Sequence, residues 1–397
     1  MKRHEFLRLS GLLGISLPLQ PLLSSCNSSN PNTNSNSTPP ESVIIIGAGP
    51  AGMAAGYLLA QQGIDFQIIE ANSSYGGRIK HNTMFSDFPI SMGGEWIHVP
   101  NTILPEIVND TSVNIATVTQ GYNNSDLVQE WDGNTLSETT VGNTGGWEDL
   151  KFVGSSWLDF FETYVLPSIQ NNIIYNTPIA EVNYSSNEVT VRSSNGQTFT
   201  AEKVIVTIPV KILQSGAINF TPPLPSTKQQ AINTVEVWGG FKAFFKFTSK
   251  FYGAYLGLPD SETSQGQRIY YDAAYAQNTS DHILGLFSVG VQAEPYQNLS
   301  GNAQRDYILN ELDDIFGSNI ASGNYLDHIV QNWNAEPYAQ GAYIRDQENW
   351  QLLRTLGESV NDKLYFAGDA YTTGDDWSSV HTAVRSAKRA VEEMVVS

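Results

Sequence analysis

Three glycines and one acid carry the first chemistry. Gly47, Gly49 and Gly52 follow directly on the β-branched run Val43-Ile44-Ile45-Ile46, and Glu70 lies eighteen residues beyond Gly52. Residues of these types at this spacing suit capture of a dinucleotide. Gly47 permits a tight turn, Gly49 lets the backbone approach a pyrophosphate, and Gly52 lets the following helix pack on the strand. Ala51 belongs to the same cradle. The helix that follows offers free N–H groups and a positive dipole end to the pyrophosphate. Glu70 is placed to accept from an adenosine ribose hydroxyl. Its charge would repel a 2′-phosphate, which disfavours NADP. The fingerprint alone leaves NAD and FAD both open.

The elements that must hold these residues are legible nearby. The run 43–46 is expected as a strand covered on both faces. Met53 to Gln62 reads as a helix stopped by Gly63, and Asp65 to Ile69 as a second strand. Ser193-Ser194-Asn195-Gly196 marks a hairpin inside 176–208, which ends in the apolar run Val204 to Ile208. Helical patterns are expected over 147–169, 227–235 and 302–316, the last stopped by Gly317, and a final helix from about Ser379. Phe241-Lys242-Ala243-Phe244-Phe245-Lys246-Phe247 alternates as a strand, and alternation alone puts Lys242 and Lys246 on one solvated face.

Composition narrows the chemistry. The 397 residues are 41% hydrophobic and 15% charged, as in a folded protein of about two to three domains. The net charge of −19 argues against a nucleic-acid partner. The one cysteine, Cys26, allows no internal disulfide and no cysteine-based zinc or iron–sulfur site. The six histidines form no metal-ligand spacing, so no metal is expected. Residues 1–26 read as an export signal, with Lys2, Arg3 and Arg8 before an apolar stretch too short and broken to span a bilayer. Its end, Leu23-Ser24-Ser25-Cys26, looks like a bacterial lipobox, which makes Cys26 the candidate lipidation site. Residues 27–42 are Asn, Ser, Thr and Pro with one acid and read as a flexible tether.

Further blocks sharpen the cofactor. Gly76-Gly77-Arg78 follows Glu70; then come Ser91-Met92-Gly93-Gly94-Glu95-Trp96-Ile97-His98 and, near the C-terminus, Tyr365-Phe366-Ala367-Gly368-Asp369. With these blocks in this order, from Val43 onward, the chain resembles the flavin-dependent amine oxidases (monoamine, polyamine and L-amino-acid oxidases). The resemblance implies an α/β fold: a Rossmann-like FAD-binding domain with an interleaved α+β substrate domain. The FAD-binding parts would be 43–101, 176–222 and 336–397, and the substrate parts 102–175 and 223–335.

The resemblance also implies roles. Gly77 and Arg78 would meet the FAD pyrophosphate, Arg78 neutralising it. Gly94 and the backbone near Glu95 and Trp96 would line the flavin. A backbone group near Ile179 would touch the adenine. Gly368 and Asp369 would bind the ribityl–pyrophosphate region, and the Val380 N–H would face the flavin N1/C2 edge, where reduction places negative charge. Lys242, rather than Lys246, would hold a water against flavin N5. Tyr343 would form one wall of an aromatic pair, and His98 would stand near the substrate. Ser379 occupies the place of the second aromatic wall, with Trp377 close by, so the cage is broken on one side. Ala342 stands where monoamine oxidases carry a flavin-linked cysteine, so FAD is expected to be non-covalent. No carboxylate-gripping arginine is apparent at 93–96, which argues against amino-acid substrates.

The implied activity is oxidation of a C–N bond of an amine or polyamine, with hydride passing to flavin N5 and oxygen giving hydrogen peroxide. The alternatives are a C–C desaturase or protoporphyrinogen-oxidase-like enzyme, and a non-catalytic FAD-binding lipoprotein. The expected partners are a small-molecule amine and oxygen, with the membrane met only through a lipid anchor at the bacterial cell envelope. Residues 2–8 also resemble a twin-arginine signal with lysine in the first arginine position. That route would suit a protein that takes up its flavin before export.

Overall fold

The computed structural model describes residues 42–345, 350–372, 376 and 378–396. Cys26, the export signal, the tether as far as residue 41 and Trp377 lie outside the described residues; Ser42, expected as the end of the tether, opens the first strand. Among those described, no helix is long and apolar enough to cross a membrane.

Five short strands pair into a parallel sheet. Its order is Leu364–Phe366, Lys203–Val206, Ser42–Ile46, Asp65–Ile69, Ile173–Ile174. The central strand pairs Ile44 with Val204 on one side and with Gln67 on the other. Val43, Ile44, Ile45 and Ile46 are all buried, as a strand covered on both faces requires. One cover is the helix Pro50–Gln62, closed by Gly63 in the left-handed conformation (φ 71°). Its Met53, Ala54 and Leu58 share a core with Ala383, Ala387 and Val391 of the helix Val380–Val396. Each large aliphatic side chain buried there stabilises the fold by roughly 1.5–3 kcal/mol.

A four-stranded sheet flanks this layer, ordered Thr198–Ala201, Val189–Ser193, Ile179–Asn183, Asn219–Thr221. The turn 194–197 joins two of its strands as an antiparallel hairpin. The remaining large layer is an eight-stranded sheet. Its main path runs Tyr325–Asn332, Gly240–Phe247, His282–Gly290, Gly266–Asp272, Tyr255–Gly257, Leu127–Trp131, Leu136–Thr140. The helix Gly301–Phe316 packs on one face through Ile308, Leu309, Leu312 and Ile315, against Phe241, Phe245 and Phe247.

Two expectations from the sequence are corrected. The strand Gly240–Phe247 has no solvated face. Phe244 packs with Phe85, Phe88 and Met92 on the side that Lys242 shares, and Lys242 is 3% exposed. The stretch 147–169 is not one helix. It holds the strand Leu150–Phe152, then the helix Trp157–Tyr164, then a short 3-10 turn. Gly154 (φ 61°) breaks the chain, and Ser156 caps the later start by accepting from the Asp159 N–H at 3.3 Å.

Candidate active site

The glycine loop sits between the first strand and its helix. Gly47 takes φ 107°, which only glycine adopts cheaply, and its N–H donates to the Ile69 carbonyl at 2.8 Å. A Cβ on Gly52 would fall 1.9 Å from the Gly47 carbonyl oxygen and 3.1 Å from Thr207 Oγ1. The constraint on Gly52 thus comes from the loop itself and the neighbouring strand end. Gly49 differs: a Cβ there would meet nothing within 4 Å, because the position opens on a cavity.

That cavity is about 2020 Å³, larger than the 300–1,000 Å³ or so of a pocket for one small ligand. Gly47, Gly49, Ala51, Glu70, Gly77, Arg78, Gly94, Glu95, Trp96, His98, Ile179, Lys242, Tyr343, Gly368, Asp369 and Val380 all line it. Gly52 is behind the wall.

Glu70 is buried at the end of its strand. Its Oε2 accepts from the Ala48 N–H and its Oε1 from the Asn72 N–H, each at 2.7 Å. Burial pushes its carboxyl above the ordinary range, and those N–H groups pull it part of the way back. The acid therefore also ties the glycine loop to the strand that carries it. Arg78 spans the cavity wall. It donates to Asp369 Oδ1 at 2.5 Å, to Asp369 Oδ2 at 3.1 Å, and to the Ala342 carbonyl.

Lys242 is surrounded by acceptors. Its Nζ donates to Glu95 Oε2 at 2.6 Å, to the Ser91 carbonyl at 2.9 Å and to the Gly93 carbonyl at 3.1 Å. Burial pulls its pKa down, against the attraction of Glu95. Burial alone would raise Glu95; Lys242, Lys151 and Tyr271 outweigh it and hold the carboxyl below its usual range. Lys246 is different: it is half-buried and paired with Asp281 at 2.8 Å.

Tyr343 faces Trp238, with ring centroids 6.0 Å apart and planes at 56°. Its hydroxyl donates to Gln267 Oε1 at 3.2 Å. His98 Nδ1 lies 2.9 Å from Asp149 Oδ1, and the Trp147 indole N–H donates to Asp149 Oδ2 at 2.8 Å. Two buried polar atoms on residues lining the cavity, Ser379 Oγ and Trp238 Nε1, have no hydrogen-bond partner among the described residues. A buried polar group without a partner calls for an explanation, and a bound polar ligand is one.

The cavity fits a dinucleotide flavin on three observations. Gly49 leaves a cradle that a side chain would fill. The Val380–Val396 helix begins at the wall and presents its N-terminal N–H groups there. Ser379 and Trp238 supply unmet polar atoms. The residues that would hold FAD are those of the glycine loop, Glu70, Arg78, Asp369 and Val380.

Comparison with known proteins decides the family. A model described as flavin containing amine oxidoreductase matches residues 167–395, more than half of the chain, and an NAD(P)-binding Rossmann-like domain model matches 45–111. The chain belongs to the flavin-containing amine oxidoreductases. It is 23% identical over 417 residues to lysine-specific histone demethylase 2 of Homo sapiens, covering 83% of this chain and 50% of that protein. It is 31% identical over 211 residues to polyamine oxidase 2 of Arabidopsis thaliana, covering 52% of this chain and 41% of that one. The chain thus spans about half the length of these relatives, or less. A solved structure of putrescine oxidase bound to putrescine superposes with TM-score 0.74 at 15% identity, over 90% of this chain and 99% of that one. That likeness is one of fold.

In this amine oxidoreductase, three residues of the site escaped the sequence reading. Lys151 stands 3.2 Å from Glu95 Oε1, and the Tyr271 hydroxyl donates to Glu95 Oε2 at 2.6 Å. Trp238 packs against Tyr343 at the cavity lining, where Ser379 offers no ring. The signals were slight: a lone lysine in the apolar run Leu150-Lys151-Phe152-Val153, and a tryptophan ahead of Gly239-Gly240.

Proposed function

We propose that this protein is an FAD-dependent oxidase of amines or polyamines that uses oxygen and yields hydrogen peroxide. One observation carries the reading: a buried lysine ammonium, an aromatic pair and a helix N-terminus face a single cavity built on a dinucleotide loop. When bound there, FAD supplies a two-electron acceptor for a hydride from the carbon that bears the nitrogen.

The chain's own residues have distinct tasks. Tyr343, braced by Trp238, presents an apolar ring at the cavity against which a neutral amine can be aligned. An ammonium has no lone pair with which to expel hydride, so it must lose a proton first. Exposed Glu262 on the cavity lining, with the overall charge of −19, favours approach of a cation. Lys242 holds its proton beside the cavity and can pass it inward. His98 and Asp149 fix the polar part of the wall near Trp147. Export and lipid anchoring through Cys26 belong to the same proposal, since the lipobox-like end of the leader supports them.

An anaerobic panel of amines, polyamines and amino acids, followed at the flavin absorbance, tests the activity. Bleaching by amines, with peroxide on admission of air, is expected. A flavin bleached by none of them, or a desaturated product, would overturn it.

A further inference from the structure

Glu95 borders two spaces. One is the main cavity. The other is a narrow cleft on the far side, lined by Glu95, Lys151, Ser155 and Gln277 among others, with room for about one water. Ser155 and Gln277 are partly exposed, whereas Lys151 and Glu95 are buried. Lys151 donates to the Asp272 and Ala273 carbonyls, each at 3.1 Å, and lies 3.2 Å from Glu95 Oε1. Lys242 meets Glu95 Oε2 at 2.6 Å. Two buried ammonium groups thus share one carboxylate, and only Lys242 of the two lines the main cavity. An ion cluster kept for packing alone would gain little over apolar residues of similar volume.

We propose that Lys151, Glu95 and Lys242 form a proton conduit from the cleft to the main cavity, so that protons reach the reaction from behind the substrate. The inference rests on the oxidase reading, whose balance is R₂CH–NH₃⁺ + O₂ → R₂C=NH₂⁺ + H₂O₂. The proton that leaves the ammonium in the first half is needed again when oxygen is reduced. It must be held in the protein or exchanged with solvent between the two halves. In the conduit, Lys242 gives up its bond to the carbonyl of Gly93, a residue of the cavity lining, releases that proton to the cavity and becomes neutral. Glu95 accepts a proton from Lys151 on Oε1, makes a half-turn that exchanges its equivalent oxygens, and delivers the proton to Lys242. Lys151 is reloaded from the cleft. No electrons move, and the cluster regains its charge. The other titratable groups facing it are Tyr271 and, further off, Tyr122; the Asp272 carboxylate is engaged by Lys250 at 2.6 Å.

The test uses the FAD-loaded protein with neither amine nor oxygen present. Laser-flash photoreduction of the flavin, with oxalate as the sacrificial electron donor, is followed by a pH-indicator dye that reports proton uptake. Lys151→Met should retain FAD and slow uptake by about a hundredfold, in line with loss of a positioned acid–base group. Lys151→Arg should be as slow, because a guanidinium keeps the charge but does not release its proton. Ser155→Trp, which fills the cleft without touching the cluster's charges, should slow the same phase. Native uptake in Lys151→Met, or recovery in Lys151→Arg, would overturn the conduit and leave a structural charge. Should Lys151→Met fail to bind FAD, Ser155→Trp decides, and native uptake there overturns the proposal. Because no amine is used, failure of the oxidase reading shows only in the amine panel.

Discussion

Lys242 Nζ stands 2.6 Å from Glu95 Oε2, and two backbone carbonyls take the rest of its donors. The lysine is thereby held in place at the cavity wall. Lys242→Met removes the charge and keeps most of the stem. It should retain FAD and slow flavin reduction or reoxidation by about 10²-fold. Lys246→Met should do little, because Lys246 pairs with Asp281 away from the cavity lining. Stopped-flow comparison of the two variants checks this, and equal near-native rates would remove Lys242 from the chemistry.

Glu95→Gln leaves two buried ammonium groups around an uncharged amide. Removing one side of a buried ion cluster costs about 3–5 kcal/mol. Denaturant unfolding should register that loss. Adding Lys151→Met to Glu95→Gln should restore part of it, since one of the two unpaired charges goes as well.

Gly49 and Gly52 should fail in different ways. Gly49 has extended backbone (φ −77°, ψ −178°), and its Cβ direction is open. Gly49→Val should therefore fold but emerge colourless, the side chain filling the cradle. Gly52→Ala places a methyl group 1.9 Å from the Gly47 carbonyl, so this variant should be unstable as well as flavin-free. Acid precipitation of the native protein should leave all yellow FAD in the supernatant; colour in the pellet would contradict non-covalent binding.

Lys228 offers a pH signature away from the site. It is buried, donates to the Thr355 and Leu356 carbonyls, and lies 3.8 Å over the Phe366 ring. Burial brings its pKa down to about 7. Between that value and its ordinary pKa near 10.5, the unfolded chain binds more protons than the folded one. Stability should thus rise with pH across this window, by up to about 5 kcal/mol from this group. Below about 7 the group is protonated in both states and adds no further slope. Lys228→Met should flatten the dependence of thermal midpoint on pH.

Cys26→Ser should block lipid attachment. Labelled palmitate should no longer be incorporated, and the precursor should remain uncleaved or mislocalised. Unchanged membrane fractionation would remove the anchor from the proposal.

The parts of the site that were legible are local in sequence. The glycine loop, its helix and Glu70 lie within one short strand–helix–strand unit, where each residue's task follows from its neighbours. Lys151, Tyr271 and Trp238 were not legible because their meaning arises only when three distant segments converge. The misreading of the Lys242 strand has a physical cause. Alternation reports one open face only when nothing covers it, and Phe85, Phe88 and Met92 come from a segment about 150 residues earlier to do so. The helix expected from residue 147 failed because apolar spacing survived across Gly154, which the backbone does not cross as a helix.

The residues that would cradle the pyrophosphate come from both ends of the fold: the loop at 47–52 and Arg78 early, Asp369 and the helix Val380–Val396 late. A ribosome delivers the early half long before the late half leaves its exit tunnel. Until then, the first helix lacks Ala383, Ala387 and Val391, and Arg78 lacks its carboxylate. With the site so divided, complete capture of FAD would wait for both halves. A truncated transcript or a stalled ribosome would yield a colourless, sticky fragment rather than a weakly active enzyme.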